Sequence, residues 1–202
     1  MFLAKYGYFG LTGEENSMGK DAQKSVVLSD EAQKKFEECV AALTAMRYPD
    51  GPPKDTTFAE IEAFGHEVGR MLGRAVDEQL TAKHSSHFAG TNICPTCQSN
   101  CEPKPDAVMR ELQTCDGQVP IQEPVCRCSV CNRDFFPQRV ALKIDGRSYS
   151  PQALQKIMYC AGRLPAYHLA SEALKTVGEI SITGRHVGNL AAGIGQELAD
   201  QG

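Results

Sequence analysis

The chain has 202 residues with nine cysteines and no tryptophan; 42% of it is apolar, 23% is charged, and the formal net charge is −4. Its 18 Gly and 11 Pro follow no repeat, and no apolar run approaches the roughly 18–20 residues that span a bilayer, which excludes collagen-like, disordered and membrane-spanning classes. An odd number of cysteines, behind an opening MFLAKYGYFGLTG without a signal-cleavage pattern, argues against a secreted disulfide scaffold and for reduced thiols in a cytoplasmic protein.

The charge is unevenly spread. Residues 1–90 carry all of the −4, and residues 91–202 are neutral. Within the second half, Arg127, Arg133, Arg139, Lys143, Arg147, Lys156 and Arg163 stand against only Asp134 and Asp145. Such a local excess of cations is the footprint of a phosphate-contacting surface, or else an ordinary solvated face.

Residues 1–28 lack periodicity and read as a flexible leader, with Met18 an alternative start. From Ser29 the spacing of Ala32, Phe36, Cys39/Val40, Leu43 and Met46 predicts a helix, capped by Ser29 and ended by Tyr48-Pro49-Asp50-Gly51-Pro52-Pro53. A capping box, Thr57-x-x-Glu60, opens a second helix whose stripe is Ile61, Phe64, Val68, Met71/Leu72, Ala75/Val76 and Leu80. Gly65, Gly69 and Gly73 share one face of it and predict close approach by another helix. That helix belongs either to an intramolecular hairpin over 29–89 or to a second subunit in a homodimer.

Two C-x2-C pairs follow, Cys94-Pro-Thr-Cys97 and Cys128-Ser-Val-Cys131. Each turn aims two sulfurs at one centre, and two such turns complete the tetrahedral S4 set that suits one structural Zn2+. Between them Val108–Cys115 and Val119–Arg127 read as a hairpin around Asp116-Gly117, with Pro120 and Pro124 limiting the return strand to an edge or breaking it. The layout over 90–142 is that of a zinc ribbon. Thiol redox chemistry is an alternative use of the pairs, and His84 or His87 an alternative ligand. Cys101, Cys115 and Cys126 read as non-ligands, and Cys39 and Cys160 as residues of apolar helix faces. Phe135 and Phe136 are expected to pack on the second knuckle.

Over 143–202 three helices are expected: one capped by Ser150 with Pro151 at its first position, one opening at Pro165 with Tyr167, Ala170, Leu174 and Val177 inward, and one capped by Ser181 with Ile182, Val187, Leu190 and Ile194 inward. A helix, a turn at Gly178 and a capped helix match a helix-turn-helix, whose last helix would present Thr183, Arg185, His186 and Asn189 to DNA. The glycines Gly184 and Gly188 weaken that helix by propensity. The expected class is α+β, mostly α.

Taken together, Cys94-Pro-Thr-Cys97, the hairpin, the run Cys128-Ser-Val-Cys131-Asn-Arg-Asp-Phe-Phe-Pro137, Tyr149-Ser-Pro151, and Gly178 followed by Ser181 resemble the N-terminal half of bacterial insertion-sequence transposases of the ISKra type, over residues 29–198. The resemblance implies that Cys94, Cys97, Cys128 and Cys131 hold zinc and that the helix after Ser181 binds double-stranded DNA at transposon ends, in a nucleoid-associated protein. Gln122-Glu-Pro-Val-Cys126 departs from the basic, aromatic strand of that family. An acidic-triad nuclease domain has no counterpart before Gly202, so this polypeptide is expected to be a truncated or split piece without catalytic activity of its own. A protein-interaction module is the other reading of the same features.

Overall fold

The computed structural model describes residues 27–144 and 146–200; the expected leader therefore lies almost wholly outside the described residues. The architecture is α+β and mostly helical, with small two-stranded antiparallel sheets. Two compact units divide the described chain, residues 27–66 and residues 67–200.

In the first unit, α1 (Asp30–Arg47) starts where Ser29 Oγ accepts the Ala32 N–H at 3.3 Å, with Asp30 and Glu31 in its first turn. Helix α2 (Phe58–Ser85) begins with a reciprocal box: the Glu60 carboxylate accepts the Thr57 N–H at 2.8 Å, and Thr57 Oγ1 accepts the Glu60 N–H at 3.3 Å. That backbone N–H holds the Glu60 carboxyl below its usual range. The rings of Tyr48 and Phe64 meet edge to face, 6.3 Å apart, across the bend between the two helices. Neither helix buries a single residue.

The glycines of α2 do not all serve close approach. A Cβ on Gly65 or Gly69 would meet nothing within 4 Å, whereas one on Gly73 would stand 2.5 Å from Asp116 Oδ2. Within the described chain, the element that comes close, at Gly73, is thus the tip of a β-hairpin. That hairpin is β3 (Val108–Thr114) and β4 (Gly117–Glu123), in register from Val108 opposite Glu123 to Thr114 opposite Gly117. Its loop residues are Cys115 and Asp116, one position before the Asp-Gly expected from the sequence. Thr114 Oγ1 accepts the Asp116 N–H at 3.2 Å and donates to the Gly117 carbonyl at 2.9 Å, which fixes the earlier turn; Gly117 takes φ +122° as the first return residue. Pro120 is tolerated opposite Glu111 because a two-stranded ribbon is all edge. The return strand stops before Pro124.

Leu112, Val119 and Ile121 form a small core with Ile144. Residues 148–150 run alongside β3: the Gln113 N–H donates to the Ser148 carbonyl at 2.9 Å, and the Ser150 N–H to the Gln113 carbonyl at 2.8 Å. After the short α3 (Pro137–Ala141), three helices share a second core. They are α4 (Pro151–Arg163), α5 (Tyr167–Thr176) and α6 (Gly184–Ala199), closing on Ala153, Ile157, Ala170, Leu174, Ile180 and Val187.

Here several expectations are corrected. The cap of α6 is Thr183, whose hydroxyl accepts the His186 N–H at 3.2 Å, and not Ser181. Helix α5 starts at Tyr167, two residues after Pro165, and Val177 is 85% exposed instead of lining the core. Residues 177–183 connect α5 to α6, longer than the roughly three- to four-residue turn of a helix-turn-helix. Gly184 and Gly188, read as weak points, are where α6 meets the start of α5. A Cβ on Gly184 would lie 2.9 Å from the His168 nitrogen, and one on Gly188 2.9 Å from the Tyr167 ring.

Gly184→Ala is accordingly expected to destabilise by about 1–3 kcal/mol, outweighing a helix-propensity gain of about 1 kcal/mol, because the blocking atoms are backbone. Thermal melting checks it; an unchanged or raised Tm would show that α5 can shift freely.

Candidate metal centre

Each C-x2-C pair forms the turn of its own small hairpin. The first lies between β1 (Asn92–Ile93) and β2 (Asn100–Cys101), the second between β5 (Cys126–Cys128) and β6 (Arg133–Phe135). In the first knuckle the Gln98 N–H donates to the Cys94 carbonyl at 3.0 Å and the Cys94 N–H to the Ser99 carbonyl at 2.9 Å. The residue after the second cysteine is left-handed in both, Gln98 at φ +62° and Asn132 at φ +54°. That conformation turns the chain back and leaves the sulfurs pointing inward. Asn132 suits it through its short amide; Gln98 has no such preference. A bridge between Pro103 and Cys126, with the Lys104 N–H on the Val125 carbonyl at 2.7 Å, joins the knuckles.

The result is one group: the sulfurs of Cys94, Cys97, Cys128 and Cys131 all lie within 4.8 Å of one another. Sulfurs at a zinc-like distance of about 2.3 Å from a tetrahedral centre would be about 3.8 Å apart. Cys97 and Cys128 are 3.4 Å apart across the knuckles, and the Cys131 N–H points at Cys128 Sγ at 3.3 Å. The donor set therefore fits a soft, tetrahedral cation such as zinc.

Electrostatics favour the same conclusion. Two thiolates about 4 Å apart repel by about 4 kcal/mol at an effective dielectric of about 20, so four cannot ionise together without a cation. The thiols respond by splitting. Cys97 is drawn down to about 6, chiefly by the Ser99 hydroxyl, and the Cys131 backbone N–H lowers Cys128. Cys131 is pushed up to about 12, chiefly because its proton is held on Cys97.

Two other cysteines wall the site without joining the set. Cys101 and Cys126 are buried in the same cluster, and burial raises both thiols, Cys101 to about 11. Their burial, which C-x2-C spacing does not reveal, follows from strand alternation: Cys126 and Cys128 both face inward while Arg127 faces out. Phe135 packs on the cluster, but Phe136, one residue on, faces away and lies under the Arg139 guanidinium at 3.8 Å. His84 and His87 meet edge to face, ring centres 5.8 Å apart, and are not part of the sulfur group.

The residues expected to contact DNA do not form one surface of unpaired cations. Arg127 bonds Asp134 at 3.2 Å and also Asn132; Lys104 bonds the same Asp134 at 2.8 Å and, with Arg127, keeps its carboxyl below the usual range. Arg139 grips the fully buried Glu123, with Nε 3.2 Å from each carboxylate oxygen, and Arg147 pairs with Glu197. Arg133 and Lys143 are exposed. Thr183, Arg185, His186 and Asn189 are exposed over the cap and first turns of α6, the His186 ring centre 5.8 Å from that of Tyr149. No helix among the described residues is long and apolar enough to cross a membrane. Comparison of the chain with protein-family models, with curated proteins and with solved structures finds no match.

Proposed function

We propose that the chain is a zinc-stabilised DNA-binding portion of a transposase-like protein, with the four cysteines as a structural zinc ribbon and the start of α6 as its DNA-facing element. The observation that carries the reading is the convergence of four sulfurs, with no His or carboxylate in the set. An all-thiolate site leaves no position for a reacting water, so the metal serves folding. The polar run Arg185, His186 and Asn189 on the exposed first turns of α6 supports the second half, with Arg133 and Lys143 as phosphate contacts.

Titrating labelled duplex DNA at two salt concentrations tests it. With roughly three to four phosphate contacts, affinity is expected to fall about 40- to 150-fold between about 50 and 200 mM salt, and Arg185→Ala to weaken it. Absence of binding to any duplex at low ionic strength overturns the DNA reading and leaves a protein-docking module, which the exposed apolar stripe of α2 favours.

A further inference from the structure

Helix α2 is held by the face that amphipathic helices normally turn to water. Its contacts within residues 67–200 come from Arg70, on Glu179 at 3.1 Å; Gly73, against Asp116; Arg74, donating to the Asp116 carbonyl at 2.8 Å; and the Thr81 carbonyl, which accepts from the buried Gln138 at 2.8 Å. At 100° per residue, Arg70, Arg74 and Thr81 lie about 160–180° from Leu72. On Leu72's side the aliphatics Leu72, Val76 and Leu80 are 45%, 46% and 58% exposed. A helix draws most of its stability from packing its apolar face, and several turns of exposed aliphatics mark an interaction surface.

The pattern along this one continuous helix is self-complementary. If two copies of α2 run antiparallel with the twofold axis between Leu72 and Gly73, Gly69 faces Val76, Gly65 faces Leu80, and Glu62 faces Lys83. Val76 and Leu80 then each meet a glycine whose Cβ position is empty to 4 Å, while Leu72 lies at the axis beside Gly73, whose Cβ side is taken by Asp116. The flanking charges, both exposed, are of opposite sign. Every pairing occurs twice, as an isologous interface requires.

We propose that this face of α2 is a homodimer interface, with the α2 helices of two copies packed antiparallel and the side chains of Val76 and Leu80 seated over Gly69 and Gly65 of the other copy. The occupant is a second copy because size and charge both match under the same twofold operation.

Sedimentation equilibrium of the full chain, with far-ultraviolet circular dichroism to confirm unchanged helicity, tests the proposal. The unsubstituted chain is expected to dimerise, and Val76→Glu to weaken the dimer by more than about a hundredfold, since it puts a carboxylate in an apolar contact. Glu62→Lys and Lys83→Glu are each expected to weaken it by about two- to fivefold per pair, and the double exchange to restore it. A monomer at all concentrations up to about 100 μM, with its helices intact, overturns the interface. Single exchanges without effect, or a double exchange that fails to restore association, overturn the antiparallel register.

Discussion

Cys128→Ser is expected to abolish tight zinc binding and to melt residues 92–135, while Cys126→Ser leaves one zinc per chain. The contrast is informative because the two cysteines share a strand face and are both fully buried, yet only Cys128 belongs to the four-sulfur group. The sheets in this region are pairs of two- and three-residue strands, too short to persist in water alone. Their shared core is six cysteine side chains and Phe135, which offers little apolar area. Metal binding, worth about 10–16 kcal/mol in small Cys-rich sites, would therefore supply what orders them. Removing one thiolate forfeits most of that term, whereas Cys126→Ser costs a buried thiol.

The pH dependence has a definite sign. Loading must expel at least the Cys131 proton, so apparent metal affinity falls as pH falls; below about 6, where Cys97 also becomes protonated, the decline steepens. Elemental analysis and hydrogen exchange at two pH values check both points. A Cys128→Ser protein that keeps stoichiometric zinc and protected 92–135 amides would overturn the assignment.

The convergence of four sulfurs was legible because C-x2-C is a geometric statement: two sulfurs three residues apart on a tight turn must converge. The walls of the centre were not, since the burial of Cys101 and Cys126 depends on strands too short to show a period, brought together by a bridge between Pro103 and Cys126. Helix starts were readable where one residue could cap, as at Ser29 and Ser150, and misread where two could. Between Ser181 and Thr183 the choice fell to the crossing of Gly184 over the His168 backbone, a tertiary fact. The stripe of α2 was visible as a period, but the face that docks is set by Asp116, Gln138 and Glu179, each more than forty residues away. The pairing within the basic stretch was hidden for a similar reason. Counting charges within 127–163 could not include Glu123 and Glu197, the partners of Arg139 and Arg147.

Those partners separate cations paired within the fold from exposed ones. Glu123 is fully buried between Arg139, which grips both of its oxygens, and Arg110, whose Nε lies 3.5 Å from Oε1. Arg139 is further fixed by stacking on Phe136. Removing the carboxylate takes away the counter-charge that the largely buried Arg139 guanidinium grips. Glu123→Ala is thus expected to destabilise by about 3–5 kcal/mol, a fall of roughly 6–20 °C in Tm for a chain of this size. Arg139→Ala should melt early as well, because it strands the other half of the pair. Its effect on duplex binding is the discriminating measurement: a guanidinium sealed against Glu123 neutralises no phosphate, so the salt slope of the folded Arg139→Ala protein stays unchanged. Lys143→Ala, at an exposed position, should do the reverse, leaving Tm in place and lowering the slope by about one. An Arg139→Ala protein of normal Tm and reduced slope would return that arginine to the DNA-facing set and break the assignment of Glu123 as its partner.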